Sequence, residues 1–482
     1  MNVLARFVPF RTSMTVALFA AIALCSSAAL ANDEPPETVT PEDQDVRRFR
    51  VVATGKTNTT VAIQFEPATI GGKYQPCPPV QVSVYNESPG GDGRWTTPRA
   101  WKTDQGSVPL EGGPFGTCSA SERVHAGKLY RFHVNPAKPG ASPRRMFRAL
   151  PDGQTPFSFV AGGDSKEEDG VGTKKRQRAF RLIAELRPSF VAFGGDMVEA
   201  LTRELIGGWL DDWELTRSKD GYMPILVPQL GNHETYSSTG LKVYRTDSAK
   251  NFCGLFALPC KEQGGAKAAF YEVRIGTRLS FLTLDTEIYL KGRSAARARL
   301  LAEQLDWTKN RLRAAKDVRW RVIQYHRPMY SQAESAKGTH RAFHHDYAEL
   351  FGAARVRLAI ESDGHVNKFT HPVVPHAINL FERSAKGTVY MGEGTMGSNP
   401  RDCWSSPRPW VRYCGSEDQF KWVTVGASEI RVWSVMYNEA RPASERPPPA
   451  GVGMPHADLP AWVVEKSGRP NGVEAPQAVI RP

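Results

Sequence analysis

The sequence carries carboxylate, amide and imidazole side chains in five short motifs. Two Gly-Gly-Asp motifs end at Asp164 and Asp196, Gly-Asn-His-Glu begins at Gly231, Tyr-His-Arg-Pro contains His326, and Gly-His-Val-Asn spans His365 and Asn367. Oxygen and nitrogen donors without thiolates are typical ligands of ions such as Mn, Fe and Zn. If the five motifs meet in the folded chain, they predict a metal centre that activates water and neutralises an anionic substrate.

Each motif follows a short apolar segment. The segments cover residues 157–161, 190–193, 224–230, 322–325 and 356–360. Short apolar runs of this kind are typical of buried strands in an α/β sheet. Loops beyond the carboxyl ends of such strands gather in one crevice. We therefore expect the five motifs to converge at one site.

The order of the motifs resembles the calcineurin-like metallophosphoesterases, and most closely the purple acid phosphatases that carry an N-terminal fibronectin-type domain. The resemblance covers roughly residues 155–435 and rests on motif order together with strand context. It implies an α/β fold of the α+β sandwich type, in which two mixed β-sheets are flanked by helices. A small all-β sandwich would precede this catalytic domain.

The same resemblance implies a ligand set for two metal ions drawn from Fe, Mn or Zn. One ion would be held by four residues: Asp196, Asn232, His326 and His365. Asp164 and the shared Asp196 would hold the second ion, together with Asn367, which stands where the family has His. The second set is therefore incomplete.

Two further departures from the family affect the second ion. Glu199 stands where the purple acid phosphatases have a Tyr ligand, and Lys166 stands where wider metallophosphoesterases have His. The Lys166 ammonium could take the place of the second ion and neutralise Asp164 and Asp196. Alternatively, Lys166 and Glu199 point to solvent and pair with each other.

The activity that the resemblance implies is hydrolysis of phosphomonoesters or small phosphodiesters by a metal-activated hydroxide. His233 and His340 are the candidate proton donors. A phosphodiesterase or nucleotidase of the same fold remains an alternative, because variable loops line the substrate pocket. A pseudophosphatase that acts as an extracellular binding protein is a second alternative, favoured by Lys166, Glu199 and Asn367.

The chain divides into five predicted segments. They are a signal peptide (1–31), a disordered arm (32–46), a fibronectin-type β-sandwich (47–150), the catalytic domain (155–440) and a Pro-rich tail (441–482). The leader has two arginines, a short apolar stretch and an Ala-Leu-Ala site, which predicts a secreted or periplasmic protein. No other segment is long and apolar enough to span a membrane. The sequence does not determine the oligomeric state.

Cysteine positions and charge agree with export and with a small phosphorylated substrate. Six cysteines follow the leader in three neighbourhoods, and local pairing predicts three bridges: Cys77–Cys118, Cys253–Cys260 and Cys403–Cys414. The formal net charge is +12, with a dense basic run at residues 174–178. We interpret that run as the solvated face of a helix, because no nucleic-acid-binding motif accompanies it.

Overall fold

The structure is a computed structural model. It describes residues 46–55, 59–87, 93–134, 145–166, 171–236, 246–263, 266–289, 294–334, 341–377, 380–437, 455–457, 460 and 478–482. The predicted signal peptide, almost all of the predicted disordered arm, His340 and most of the predicted tail lie outside the described residues.

The helices are α1 Gly172–Leu186, α2 Arg203–Trp213, α3 Thr246–Phe256, α4 Ala295–Ala314 and α5 Arg341–Ala353. The strands up to the first Gly-Gly-Asp motif are β1 Arg47–Ala53, β2 Thr60–Glu66, β3 Thr69–Ile70, β4 Lys73–Tyr74, β5 Val80–Asn86, β6 Arg94–Trp95, β7 Arg99–Trp101, β8 Asp104–Leu110, β9 Gly113–Arg123, β10 Leu129–Val134, β11 Arg145–Arg148 and β12 Phe157–Gly162. The later strands are β13 Phe190–Phe193, β14 Ile225–Pro228, β15 Lys261–Gln263, β16 Ala266–Ala268, β17 Tyr271–Ile275, β18 Leu279–Thr283, β19 Trp320–Gln324, β20 Leu358–Ile360, β21 Asn367–Thr370, β22 Val373–Ala377, β23 Leu380–Arg383, β24 Val389–Gly392, β25 Val411–Gly415, β26 Phe420–Val425, β27 Ile430–Val435 and β28 Ala478–Ile480.

A ten-stranded mixed sheet carries the first three motifs. Its strand order is β28-β27-β26-β12-β13-β14-β1-β2-β9-β8. The central strands β12, β13 and β14 run parallel and are almost entirely buried. Their carboxyl ends therefore lie side by side, as the apolar segments predicted.

A seven-stranded mixed sheet carries the last two motifs. Its order is β17-β18-β19-β20-β24-β21-β25, with β18, β19 and β20 parallel. Strands β17 and β18 form an antiparallel hairpin. From the sequence we expect residues 422–425 and 430–435 to be late strands that close a second sheet packed against the first. That expectation is wrong, because β26 pairs with β12 and both late strands belong to the ten-stranded sheet.

The two sheets pack face to face, and helices cover their outer faces. Phe281 of the second sheet meets the rings of Phe159 and Phe190 of the first, with both centroids 5.7 Å away. Helices α1 and α2 cover the first sheet, where the ring of Trp209 lies 5.1 Å from that of Phe193. Helix α5 covers the second, where Phe343 packs on a buried tyrosine of the fourth motif. The predicted α+β sandwich is confirmed.

The basic run of α1 is only partly a solvated face, because Lys174 and Arg178 are exposed and the other two cations are not. The Arg176 side chain is buried, and its Nε donates to Oδ2 of Asp212 over 2.8 Å. The Nζ of Lys175 lies 3.3 Å from Oδ1 of Asp418. Arg176 and Lys175 thus hold α1 to neighbouring elements, a structural role that the sequence interpretation did not include.

The predicted fibronectin-type segment contributes to three sheets, of which the smallest is the pair β3 and β4. Strands β1, β2, β8 and β9 extend the ten-stranded sheet through parallel pairing of β1 with β14. Strands β5, β6, β7, β10 and β11 form a separate five-stranded sheet. Hydrogen bonding is thus continuous from residues 47–150 into the domain that follows. The fibronectin-type assignment stays a prediction.

Two of the three predicted disulfides form, Cys77–Cys118 and Cys403–Cys414. The third prediction is wrong, because Cys253 and Cys260 are free thiols. The Cys260 thiol donates to the carbonyl oxygen of Ala249 over 3.5 Å. A hydrogen bond from Cys253 lowers the pKa of Cys260, so the two sulfurs interact without a covalent bond.

The end of the chain returns to the ten-stranded sheet. Strand β28 pairs with β27, and Ala478 and Ile480 are buried. The carbonyl oxygen of Arg481 accepts hydrogen bonds from Nε and Nη2 of Arg357, at 3.0 and 2.7 Å. Within the described ranges, no helix combines the length and the apolar character needed to cross a membrane.

Candidate metal centre

The motif residues occupy sharp turns directly after the strands. Asp164, Asp196 and His365 all have positive φ values, of 56°, 54° and 56°. Residues other than glycine rarely adopt this left-handed conformation, and such residues cluster at functional sites.

Glycines in the motifs let the loops pack backbone against backbone. A Cβ atom on Gly231 would lie 2.3 Å from Oδ1 of Asp196, and one on Gly195 would lie 2.6 Å from the nitrogen of Gly231. Neither position has room for a side chain. The Gly-Gly-Asp and Gly-Asn-His-Glu motifs therefore need glycine for close approach.

Asp164, Asp196 and His326 converge in a buried cluster. Their ligand atoms all lie within 4.8 Å of one another, and all three side chains are fully buried. The Nε2 of His326 is 3.1 Å from Oδ1 of Asp196 and 3.0 Å from Oδ1 of Asn232. The structure thus brings together four of the residues predicted from the motifs.

The cluster requires a cation. Nδ1 of His326 donates to the carbonyl oxygen of Gly194 over 2.7 Å, which leaves Nε2 facing two oxygen acceptors. Burial lowers the pKa of His326, but the charge of Asp196 more than offsets it, so this pKa lies well above its usual value. Either a proton on Nε2 or a metal ion must lie between these atoms, and the donor types suit a metal ion.

Lys166 points into the site and not to solvent. Its Nζ lies 2.7 Å from Oδ2 of Asp196 and 3.3 Å from Nε2 of His365, and the side chain is 3 % exposed. Burial lowers the pKa of Lys166, but Asp196 and Asp164 outweigh burial and raise it. This geometry agrees with the prediction that the Lys166 ammonium neutralises Asp164 and Asp196. It does not agree with the alternative that Lys166 points to solvent and pairs with Glu199.

His365 lies on the ammonium side of Asp196. Its Nε2 is 3.2 Å from Oδ1 of Asp164, and its Nδ1 is 3.1 Å from the carbonyl oxygen of Asn399. The imidazole thus contacts Lys166 and also Asp164, which belongs to the buried cluster.

The structure bonds the Asn367 amide to other side chains, and its role as a metal ligand stays a prediction. Its Nδ2 donates to Oε2 of Glu417 over 2.6 Å. Its Oδ1 accepts hydrogen bonds from Nζ of Lys421 and from Oγ of Ser434. Both ends of the amide are therefore hydrogen-bonded to side chains of later strands and loops.

His233 lies at the mouth of the site. Its Nδ1 donates to the carbonyl oxygen of Glu199 over 2.9 Å and lies 3.2 Å from Oε1 of the same residue, while Nε2 is 3.8 Å from Oδ2 of Asp196. Burial lowers the pKa of His233, but Asp196 and then Glu199 outweigh burial and raise it. This geometry suits a proton donor. Its predicted companion His340 lies outside the described residues.

Three residues that sequence reasoning did not single out complete the site. Buried Glu234 accepts hydrogen bonds from the backbone nitrogens of Gly231, Asp196 and Met197, at 2.8, 2.9 and 2.6 Å, and so joins two motif loops. The backbone nitrogen of Asp363 donates to both oxygens of Asp164 at 3.1 Å. Arg327, fixed by Glu287, faces Asp363. All three residues are charged and lie inside or beside motifs. Their charge and position are the sequence features that could have identified them.

Comparison with known proteins identifies the fold. No protein-family model matches the chain, and no curated protein matches it. A solved structure of the purple acid phosphatase PPD1 from yellow lupin superposes with a TM-score of 0.60 at 13% sequence identity, over 83% of this chain and 73% of that chain. The chain has the metallophosphoesterase fold.

A second solved structure supports the same conclusion. PhoD superposes with a TM-score of 0.55 at 13% identity, over 83% of this chain and 87% of that chain. At this level of identity the likeness establishes the fold alone. What the centre does must therefore be argued from the residues of this chain.

Proposed function

We propose that the protein is a metal-dependent phosphoesterase that hydrolyses a small phosphorylated substrate, a phosphomonoester or a small phosphodiester. The observation that carries this proposal is the convergence of Asp164, Asp196 and His326 within 4.8 Å in a fully buried setting. Asn232 joins them through its amide oxygen. The fold is similar to that of a purple acid phosphatase, and by analogy this similarity favours phosphate-ester chemistry.

The bound ion would be held by Asp196, Asn232 and His326, with Asp164 within reach. Such an ion neutralises phosphate oxygens and lowers the pKa of bound water, which is the chemistry that ester hydrolysis requires. The chain itself fixes the ligands. Gly194 holds the His326 tautomer, and Glu234 holds the Asp196 turn through backbone hydrogen bonds. Such supporting contacts tune metal affinity.

Lys166 would supply the second positive charge. Its ammonium lies against Asp196 and near Asp164, where the resemblance places a second ion. An ammonium offsets the charge of the two carboxylates and of an incoming phosphate, but it does not activate water as a metal ion does. We therefore expect slower turnover than a centre with two ions would give.

His233 would protonate the leaving group. It is the one described imidazole of the site whose side chain remains partly exposed, at 15 %, and its raised pKa keeps it protonated over a wider pH range than an ordinary histidine. General acid catalysis of this kind typically contributes a factor of about 10² to 10⁴. Glu199 orients the ring through Nδ1.

The proposal is tested by assaying para-nitrophenyl phosphate and its bis ester with purified protein of known metal content. We expect metal-dependent release of nitrophenol that EDTA abolishes and Mn²⁺ or Zn²⁺ restores. The preferred ester decides between monoesterase and diesterase activity, and a nucleoside monophosphate assayed beside them tests the nucleotidase alternative. His345→Ala is a matched control, because His345 is 75 % exposed on α5 and bonded to Asp346.

A pseudophosphatase is the second candidate. Lys166 in the site and the committed amide of Asn367 favour it, because both remove capacity for a second ion. In that case the purified protein would hold metal and yet turn over neither ester. Such a result would replace hydrolysis by binding as the function of the centre.

We also propose that the protein is exported to the periplasm or secreted. The leader pattern of residues 1–31 supports this localisation, and so do the two disulfides, since such bonds persist in oxidising compartments. The amino terminus of the mature protein, determined by sequencing, is expected near Asn32.

A further inference from the structure

Asp363 is a carboxylate beside the metal cluster that no motif of the sequence assigns. It precedes Gly364 and His365 after β20, and it has a positive φ of 63°. Its backbone nitrogen donates to the Asp164 carboxylate, and its side chain is 27 % exposed. Asp363 therefore borders the cluster on the side that solvent reaches.

The Asp363 carboxylate is close enough to share an ion with His326. Its Oδ1 lies 3.9 Å from Nε2 of His326. Nitrogen and oxygen donors of one metal ion lie about 2.0 to 2.2 Å from it, so any two of them are at most about 4.4 Å apart. The distances from His326 to Asp196 and Asn232, 3.1 and 3.0 Å, satisfy the same limit.

The other oxygen of Asp363 has a separate partner. Its Oδ2 lies 3.5 Å from Nη1 of Arg327, whose Nε lies 3.0 and 3.1 Å from the two oxygens of Glu287. The guanidinium thus orients the carboxylate from outside and leaves Oδ1 turned toward His326. A ligand carboxylate with an outer hydrogen-bonding partner is the usual arrangement at protein metal sites.

The residues that the resemblance offers as remaining ligands already have polar partners. His365 lies between Asp164 and Lys166, and Asn367 is bonded to Glu417 and Lys421. Asp363 is the described acidic side chain that faces His326 from the open side.

We propose that Asp363 is a metal ligand, and that the ion is held by Asp196, Asn232, His326 and Asp363. The inference rests on the metal site of the proposed function. Three oxygen donors and one imidazole form a more oxygen-rich set than the one with two imidazoles, and oxygen ligands suit Mn²⁺. Mn²⁺ is therefore the probe of choice.

The experiment measures Mn²⁺ affinity of the full chain by electron paramagnetic resonance of the free ion. Asp363→Gly removes the carboxylate without backbone strain, because glycine tolerates positive φ, and Asp363→Asn keeps an oxygen but no charge. We expect Asp363→Gly to weaken binding by at least about 100-fold and Asp363→Asn by less. Circular dichroism verifies that each variant is folded.

Two further variants separate a ligand from a neighbour. Asp317→Asn removes an exposed carboxylate in the turn after α4, and it should leave Mn²⁺ affinity unchanged. Arg327→Gln removes the outer partner and should cost about 10-fold, less than Asp363→Gly. If folded Asp363→Gly or Asp363→Asn bound Mn²⁺ with wild-type affinity, the assignment of Asp363 as a ligand would be overturned. The proposed function would stand. Absence of any Mn²⁺ or Zn²⁺ binding by the wild-type protein would overturn the proposed function with it.

Discussion

Lys166 and His326 approach the carboxylate of Asp196 from opposite oxygens. The ammonium nitrogen of Lys166 lies 2.7 Å from Oδ2, and Nε2 of His326 lies 3.1 Å from Oδ1. In a centre with two ions this carboxylate would bridge them. Here it would lie between one ion and one ammonium, so the asymmetry of the centre would follow from a single side chain.

Metal binding should depend on His326 and much less on His365. His326→Ala removes the imidazole that faces Asp196 and Asn232, and we expect at least about 100-fold weaker Zn²⁺ binding. His365→Ala should retain the ion, because its Nε2 faces Asp164 and Lys166. Elemental analysis after gel filtration measures both. Equal loss in the two variants would place His365 among the ligands.

Replacing Lys166 should open a second ion position. Lys166→His removes the ammonium and supplies an imidazole beside Asp164, Asp196 and His365, so metal content should rise from one toward two ions per chain. Lys309→His, at an exposed helical position, is the control. Asn367→His alone should stay at one ion, because Glu417 and Lys421 hold that position. A folded Lys166→His protein with one ion would contradict this role of the lysine.

Asp285 should make stability fall as pH rises. It is fully buried at the end of β18, and burial raises its pKa from 3.8 to about 7. The folded state therefore binds this proton more tightly than the unfolded state. Its contribution is complete below about pH 4 and is lost progressively toward pH 7, at up to about 1.4 kcal/mol per pH unit.

Urea unfolding at several pH values, with and without Asp285→Asn, isolates that contribution. The variant should lack this part of the decline between pH 4 and pH 7, whereas Asp317→Asn, at an exposed position, should behave as the wild type. Parallel pH dependence in the wild-type and Asp285→Asn proteins would show that Asp285 is ionised in the fold at low pH.

Thiol titration should find two reactive thiols. In protein without residues 1–31, denatured but not reduced, Cys253 and Cys260 should react and the other four cysteines should not. Cys253→Ser should lower the count to one. A count of zero in the wild-type protein would mean that the third bridge forms after all.

The sequence predicted the centre where local pattern determines position. Apolar strands followed by glycine and a ligand residue place Asp164, Asp196 and His326 at adjoining strand ends, because burial and parallel pairing leave one arrangement. The direction of Asn367 was not predictable in this way. It depends on Glu417 and Lys421, which are 50 and 54 residues away in sequence.

The local sequence pattern also does not determine which sheet a strand joins. The alternation of β26 and β27 predicts strands, but pairing with β12 is decided by long-range contacts, and so their sheet was predicted wrongly. Asp363 was overlooked because a single aspartate before a glycine has no distinctive spacing. Only the left-handed turn of the folded chain brings its carboxylate to His326.

The most direct test is the number of metal ions that the wild-type protein holds tightly. Protein saturated with Mn²⁺ or Zn²⁺ at neutral pH, then passed through gel filtration and measured by elemental analysis, should contain one ion per chain, because Lys166 fills the second position. Phosphatase activity should track that single ion. Two tightly held ions per chain would contradict the account, and so would an active protein that holds none.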